Sequence, residues 1–174
     1  MDATRSWRIR FVAIGVGASL ATLLAMSAFA SAGGSGGEWA RNAHPNSKVT
    51  CAIKLIAVKP PRTINAENFG EIDCSPYLGK GVQHDSSVVT PTGQFSGHFT
   101  GPVKQFFDNG TLFGQFTIAY VTNPTTLAVT YNGTITIEGG TGRYKNLRGE
   151  GTLVGGSPDA IRSTITEQIT LTHK

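Results

Sequence analysis

From Lys48 onward, apolar side chains recur at every second residue and not at the 3.6-residue period of a helix. The clearest run is Leu127 to Glu138, where Leu127, Val129, Tyr131, Gly133, Ile135 and Ile137 alternate with Ala128, Thr130, Asn132, Thr134, Thr136 and Glu138. Such alternation predicts a strand with one buried and one wet face. Ahead of it, Leu112, Gly114, Phe116, Ile118 and Tyr120 form a second apolar set, and "TNPTT" between the two supplies turn chemistry. A tight turn between Asn123 and Thr126 sets even positions of the first strand opposite odd positions of the second. The two apolar sets then share a face, as a hairpin requires.

Similar runs span Val49 to Val58, Gly81 to Thr90, Gln94 to Gly101, Leu147 to Val154 and Ile161 to Thr172, with a weaker one around Asn68 to Cys74. About eight short strands with turn signals between them predict an all-β domain, an antiparallel barrel or sandwich. Glycines within the strands, such as Gly97, Gly114 and Gly133, favour the closed barrel, whose curved wall leaves little room for a side chain.

The pattern also singles out residues for chemistry. In the last run Glu167 shares parity with Ile161, Ser163, Ile165, Ile169 and Leu171. A carboxyl on an apolar face must be paired, protonated or wetted by a cavity, and burial raises its pKa into the range of a general acid or base. A bulge or rim position that lets it reach water is the competing reading. If "TPTG", Thr90 to Gly93, forms the next turn, His84 faces Phe99 and His98 lies opposite Asp85. An Asp85–His98 pair could orient an imidazole for proton transfer, or be a surface hydrogen bond. Phe95, Phe99, Phe116 and Tyr131 form a candidate aromatic wall for a small ligand. No spacing of His, Cys or acidic residues points to a metal, and no motif calls for a cofactor.

Composition adds the compartment. Arg5, Arg8 and Arg10 precede an apolar run from Phe11 to Met26, and overlapping A-x-A patterns end at Ala30 and Ala32. Residues 1–32 read as a cleaved signal peptide, with an uncleaved anchor as the alternative, and the expected location is secreted or periplasmic with no stable membrane association after cleavage. Residues 33–47, "GGSGGEWARNAHPNS", read as a flexible linker, and 48–174 as the domain. Beyond residue 32 there are 12 Lys and Arg against 10 Asp and Glu, a net of +2 where the whole chain carries +4. No basic cluster remains that would neutralise a row of phosphates, so nucleic acid is not an expected partner. Cys51 and Cys74 both lie in the exported part, where a disulfide is expected in an oxidising compartment; two separate buried thiols are the alternative.

One glycine-rich stretch remains, Ile137 to Leu153, "IEGGTGRYKNLRGEGTL". It lacks the Gly-Lys-Ser/Thr ending of a phosphate loop and opens no helix, so Gly139, Gly140 and Gly142 read as a connection between strands, with Tyr144 closing the end of the core. Together with the preceding "TYNGTITIE", it resembles the allene oxide cyclase-like and dirigent-like barrels, whose signature is Gly-Gly-Thr-Gly, a short step to an aromatic, then a glycine-punctuated strand. Gly139, Gly140, Thr141, Gly142 and Tyr144 match its first part, and Gly149 and Gly151 its second. The resemblance implies an eight-stranded antiparallel barrel with an apolar lumen, often dimeric or trimeric, in families that cyclise oxylipins or steer radical coupling of phenols. Those activities depend on pocket residues outside the motif, so it carries no catalytic role to any position here.

Three expectations about function follow. The first is a secreted barrel holding a small lipophilic molecule. The second is an isomerase or cyclase acting on such a molecule with help from Glu167. The third is a structural or cell-surface module whose Thr-rich wet faces bind a partner. In a barrel of this kind orientation and exclusion of water can supply rate or stereochemical control with few catalytic groups.

Overall fold

The computed structural model describes residues 47–59 and 65–174. The signal peptide read at 1–32 and the linker read at 33–47 lie outside the described residues, except Ser47, which opens the first strand. Eight strands follow in order: β1 Ser47–Lys59, β2 Asn65–Cys74, β3 Gly79–Gly93, β4 Ser96–Phe107, β5 Gly110–Thr122, β6 Val129–Gly140, β7 Leu147–Ser157 and β8 Arg162–His173. Each pairs antiparallel with its neighbours in sequence, and β8 returns to pair with β1, so the sheet closes into an up-and-down barrel. Closure removes both sheet edges. Among the described residues no helix is long and apolar enough to cross a membrane.

Side chains alternate inward and outward along every strand, as the sequence period requires. In the β5–β6 hairpin Tyr120 faces Tyr131 and Phe116 faces Ile135, the even-to-odd pairing that puts both apolar sets inside. The turn is longer than the sequence suggests. Asn123 Oδ1 accepts from the backbone N–H groups of Thr125 and Thr126, and pairing starts only at Thr122 with Val129. Leu127 therefore sits in the turn, exposed, with φ of 60°, not on the inner face. Ile161 is likewise exposed, just before β8 begins.

The β3–β4 hairpin overturns the expected histidine pairing. The chain reverses at Gln94 and Phe95, not across Thr90 to Gly93, so both strands are longer and Asp85 lies opposite Val103, with Thr90 opposite His98. Moving Asp85's partner from 98 to 103 is an odd shift, which puts His98 on the outer face and Asp85 on the inner one. Among the described residues, β3 beyond Val88 pairs with β4 alone, a setting in which Pro91 is tolerated. His84 also points outward, opposite Lys104, with Nε2 2.9 Å from Glu67 Oε1.

Curvature comes from glycine. A Cβ at Gly114 would lie 1.9 Å from the Thr136 carbonyl oxygen, and one at Gly133 2.2 Å from that of Thr117, so only glycine lets β5 and β6 approach this closely. Just beyond, Glu138 is an extra residue in β6, since Gly114 pairs with Ile137 and Phe113 with Gly139. The chain then enters the glycine-rich connection. Thr141 N–H donates to the Thr111 carbonyl, Thr111 N–H to Thr141 Oγ1, and Arg143 N–H to the Asn109 carbonyl. A 3-10 helix, Gly142–Tyr144, starts with Gly142 at φ of 56°, where a Cβ would lie 2.4 Å from the Asn109 oxygen.

That turn drops Tyr144 into one end of the barrel. Its side chain is fully buried, meets Phe107 edge to face at 5.9 Å, and directs Oη to the Leu78 carbonyl at 3.4 Å. Behind it Val49, Leu112, Ile137, Leu147, Ile169 and Leu171 fill the lumen. Cys51 and Cys74, both fully buried in this half, form a disulfide across β1 and β2. The strand ends opposite Tyr144 enclose a different interior.

Candidate functional site

The half of the lumen away from Tyr144 holds a cavity of about 50 Å³. Its wall is apolar along β5 to β8, with Phe116, Ile118, Ile135, Leu153 and Ile165, and polar on β2 and β3, with Asn68, Gln83, Asp85 and Ser87, while Glu167 adds a carboxyl from β8. Phe99, Tyr131 and Ser163 line it near the turn end and are only half-buried, so the lumen reaches solvent there. Phe99 and Tyr131 stand edge to face at 6.3 Å, Phe99 stacks at 4.7 Å on Tyr120, and Tyr131 Oη lies 3.3 Å from Ser163 Oγ. Burial pushes the Tyr131 hydroxyl above its usual pKa, with its bond to Ser163 acting the other way.

A chain of polar side chains runs along the wall and then across the lumen. Asn68 Nδ2 donates to Asp85 Oδ1 at 2.7 Å, and Gln83 Nε2 donates to Asp85 Oδ2 at 3.3 Å. Gln105 Nε2 donates to Gln83 Oε1 at 3.1 Å and reaches both Glu167 oxygens at 3.0 Å. These residues come from β2, β3, β4 and β8, so the network joins opposite walls. Strand parity explains it: Gln83, Asp85 and Ser87 alternate with outward His84 and Ser86, and Gln105 lies between inward Val103 and Phe107.

Glu167 is 0% exposed, so the rim position considered from sequence is not the one it occupies. Its backbone lies between Cys51 on β1 and Leu153 on β7. Burial raises its pKa from the ordinary 4.5 to about 7, partly offset by the Gln105 amide. Gln105 Nε2 has two hydrogens for three nearby oxygens while its Oε1 has no partner among the described residues, which leaves an ionised Glu167 short of a donor. Asp85 is also raised by burial, against the amide bonds from Asn68 and Gln83. A buried carboxyl raised to about 7, as Glu167 is, can hold or release a proton near neutral pH.

The other residues singled out from sequence fall in several places. Phe99, Phe116 and Tyr131 line the cavity; Phe95 sits on the β3–β4 turn, 40% exposed and outside the lining, because the chain reverses there. His98 lies outside the barrel and does not meet Asp85. Gly139, Gly140, Gly142 and Tyr144 belong to the opposite end from the cavity. Gln83, Ser87 and Gln105 were not singled out, although their inward parity in β3 and β4 carries the signal. Among the described residues no group of three or more His, Cys, Asp or Glu side chains could hold a metal ion. No protein-family model, curated protein or solved structure matches the chain.

Proposed function

We propose that this chain is an exported barrel of the allene oxide cyclase-like or dirigent-like kind that holds a small apolar or aromatic molecule in the open half of its lumen. The observation that carries this reading is the cavity itself: side chains fill one half of the barrel, yet the other keeps free space bounded by Phe99, Phe116 and Tyr131. Concave sites lined by aromatic and aliphatic groups, with a few convergent polar ones, are the usual setting for small ligands. The glycine connection with Tyr144 supports the family likeness through the same features that carried the sequence resemblance. Small aromatic compounds should therefore bind, Ile165→Trp should abolish binding by filling the cavity, and Phe69→Ala on the outer wall should leave it unchanged. Equal loss in both variants, or no binding by the parent protein, would remove this function.

A second reading is supported by Glu167. A carboxyl whose pKa is about 7 on the wall of a cavity is suited to take and return a proton during an isomerisation or cyclisation. Gln105 would keep it oriented, and the narrow lumen would hold one conformer of the substrate. With a substrate in hand, Glu167→Gln should lower turnover by about 10²-fold or more; unchanged turnover would take Glu167 out of the mechanism.

A further inference from the structure

Taking the lumen as a ligand site, as proposed above, its wall chemistry narrows the class of ligand. Asp85 and Ser87 stand two residues apart on β3, both facing inward and only 3% and 5% exposed. Ser87 Oγ lines the cavity and has no hydrogen-bond partner among the described residues, although a hydroxyl buried in this way normally has one. Among the described residues, Asp85 accepts only from the neutral amides of Asn68 and Gln83. A carboxylate offers about four lone-pair sites, so it retains capacity for another donor.

His84 acts on Asp85 electrostatically from the outer face, but the charge on the inner wall is one-sided. Among the described residues, Asp85, Glu167 and Tyr131 are the titratable side chains on the cavity wall, and none of those lining it is Lys, Arg or His. Burial holds the Asp85 carboxyl above the usual carboxylate range despite its amide bonds, and a cation in the lumen would act in the opposite sense. The absence of a three-ligand acidic or histidine cluster among the described residues argues for an organic cation and not a metal ion. Aromatic faces at Phe99 and Tyr131 also attract organic cations.

We propose that the open half of the lumen binds a primary ammonium group carried on a small aromatic or branched alkyl body, with its N–H groups donating to Asp85 and Ser87 Oγ. The cavity of about 50 Å³ has room for the ammonium and its first carbons, and the remainder of the ligand lies at the half-buried Phe99–Tyr131 mouth. Ammonium to carboxylate bonds are charge-assisted and strengthen away from bulk water. A neutral alcohol of the same shape could satisfy Ser87 but would bring Asp85 no countercharge.

The test compares benzylamine with benzyl alcohol on the purified full chain at pH 7, followed by NMR shifts of Ser87, Phe99 and Tyr131. Benzylamine should bind at least about tenfold tighter than the alcohol. Asp85→Asn, checked for its fold by circular dichroism, should abolish the preference for benzylamine over the alcohol. The alcohol binding as tightly as the amine overturns the ammonium site while leaving an apolar ligand site intact. Failure of both compounds to perturb lumen residues overturns the lumen reading and this inference with it. Because the primary comparison uses the parent protein, it stands even if Asp85→Asn does not fold.

Discussion

Gln105 on β4 and Glu167 on β8 meet across the barrel, with one amide nitrogen 3.0 Å from both carboxyl oxygens. They lie where the packed half of the lumen gives way to the cavity. A bond between opposite walls at that level fixes the floor of the open half and determines the charge it presents.

Stability should depend on pH through this floor. The Glu167 pKa is raised from 4.5 to about 7 in the folded protein, so between those values the folded state keeps a proton that the unfolded chain has lost. Stability is therefore greatest below about pH 4.5 for this group and falls as pH rises to about 7, by roughly 3 kcal/mol at about 1.4 kcal/mol per unit. Asp85, also raised, adds in the same direction, whereas Asp73 and Asp159, held low by hydrogen bonds, lose their contributions only in stronger acid. Urea midpoints by circular dichroism should be lower at pH 8 than at pH 5, and Glu167→Gln should remove most of the difference. An undiminished difference in that variant would contradict this origin.

Removing the donor should be worse than removing the charge. Gln105→Leu leaves Glu167 and Gln83 without their shared amide, and an unsatisfied buried group costs roughly 1–3 kcal/mol. Loss should be greater at pH 8, where Glu167 is ionised, than at pH 5. Equal losses at both values would show that the Gln105 bond to Glu167 contributes little to the folded state.

The disulfide joins residues 23 apart in sequence, and closing a loop of that length is worth about 3 kcal/mol in the entropic treatment. Cys51→Ala with Cys74→Ala should lose at least that much in urea unfolding. Since both sulfurs are fully buried, thiol reagents should reduce the folded protein only as fast as it opens. Rapid reduction under native conditions would place the bridge nearer solvent.

The glycine-rich connection should respond as a plug and not as a site. Tyr144→Ala should cost about 3–5 kcal/mol by emptying a packed position, and Tyr144→Phe about 1 kcal/mol or less, since its hydroxyl makes one long bond. Gly142→Ala forces a side chain into the left-handed region against the Asn109 carbonyl and should cost about 1–3 kcal/mol. Arg143→Ala and Lys145→Ala, both at exposed positions, should change neither stability nor ligand binding measurably. Loss of binding in either would return this loop to the functional candidates.

Much of the barrel was legible in the sequence because a period of two carries the inside and outside of every strand. Parity alone put Phe116 and Ile135 on one face and Glu167 among apolar neighbours. The β3–β4 register was not legible, since "TPTG" has stronger turn chemistry than Gln94-Phe95, and only tertiary pairing with β2 and β4 determines how far β3 continues. That error joined Asp85 to the wrong partner. Gln83 and Gln105 were passed over because polar residues at inward positions resemble wet ones until the opposite wall is known.

The central claim is that the open half of the lumen accepts a small apolar or aromatic molecule. Its most direct measurement is a two-dimensional NMR titration of the full chain with a series of small aromatic compounds. Saturable shifts should concentrate at Ser87, Phe99, Phe116, Tyr131 and Ile135, with Tyr144 and the outer strand faces unmoved. A series that produces no saturable shifts, or only shifts scattered over the outer wall, would contradict it.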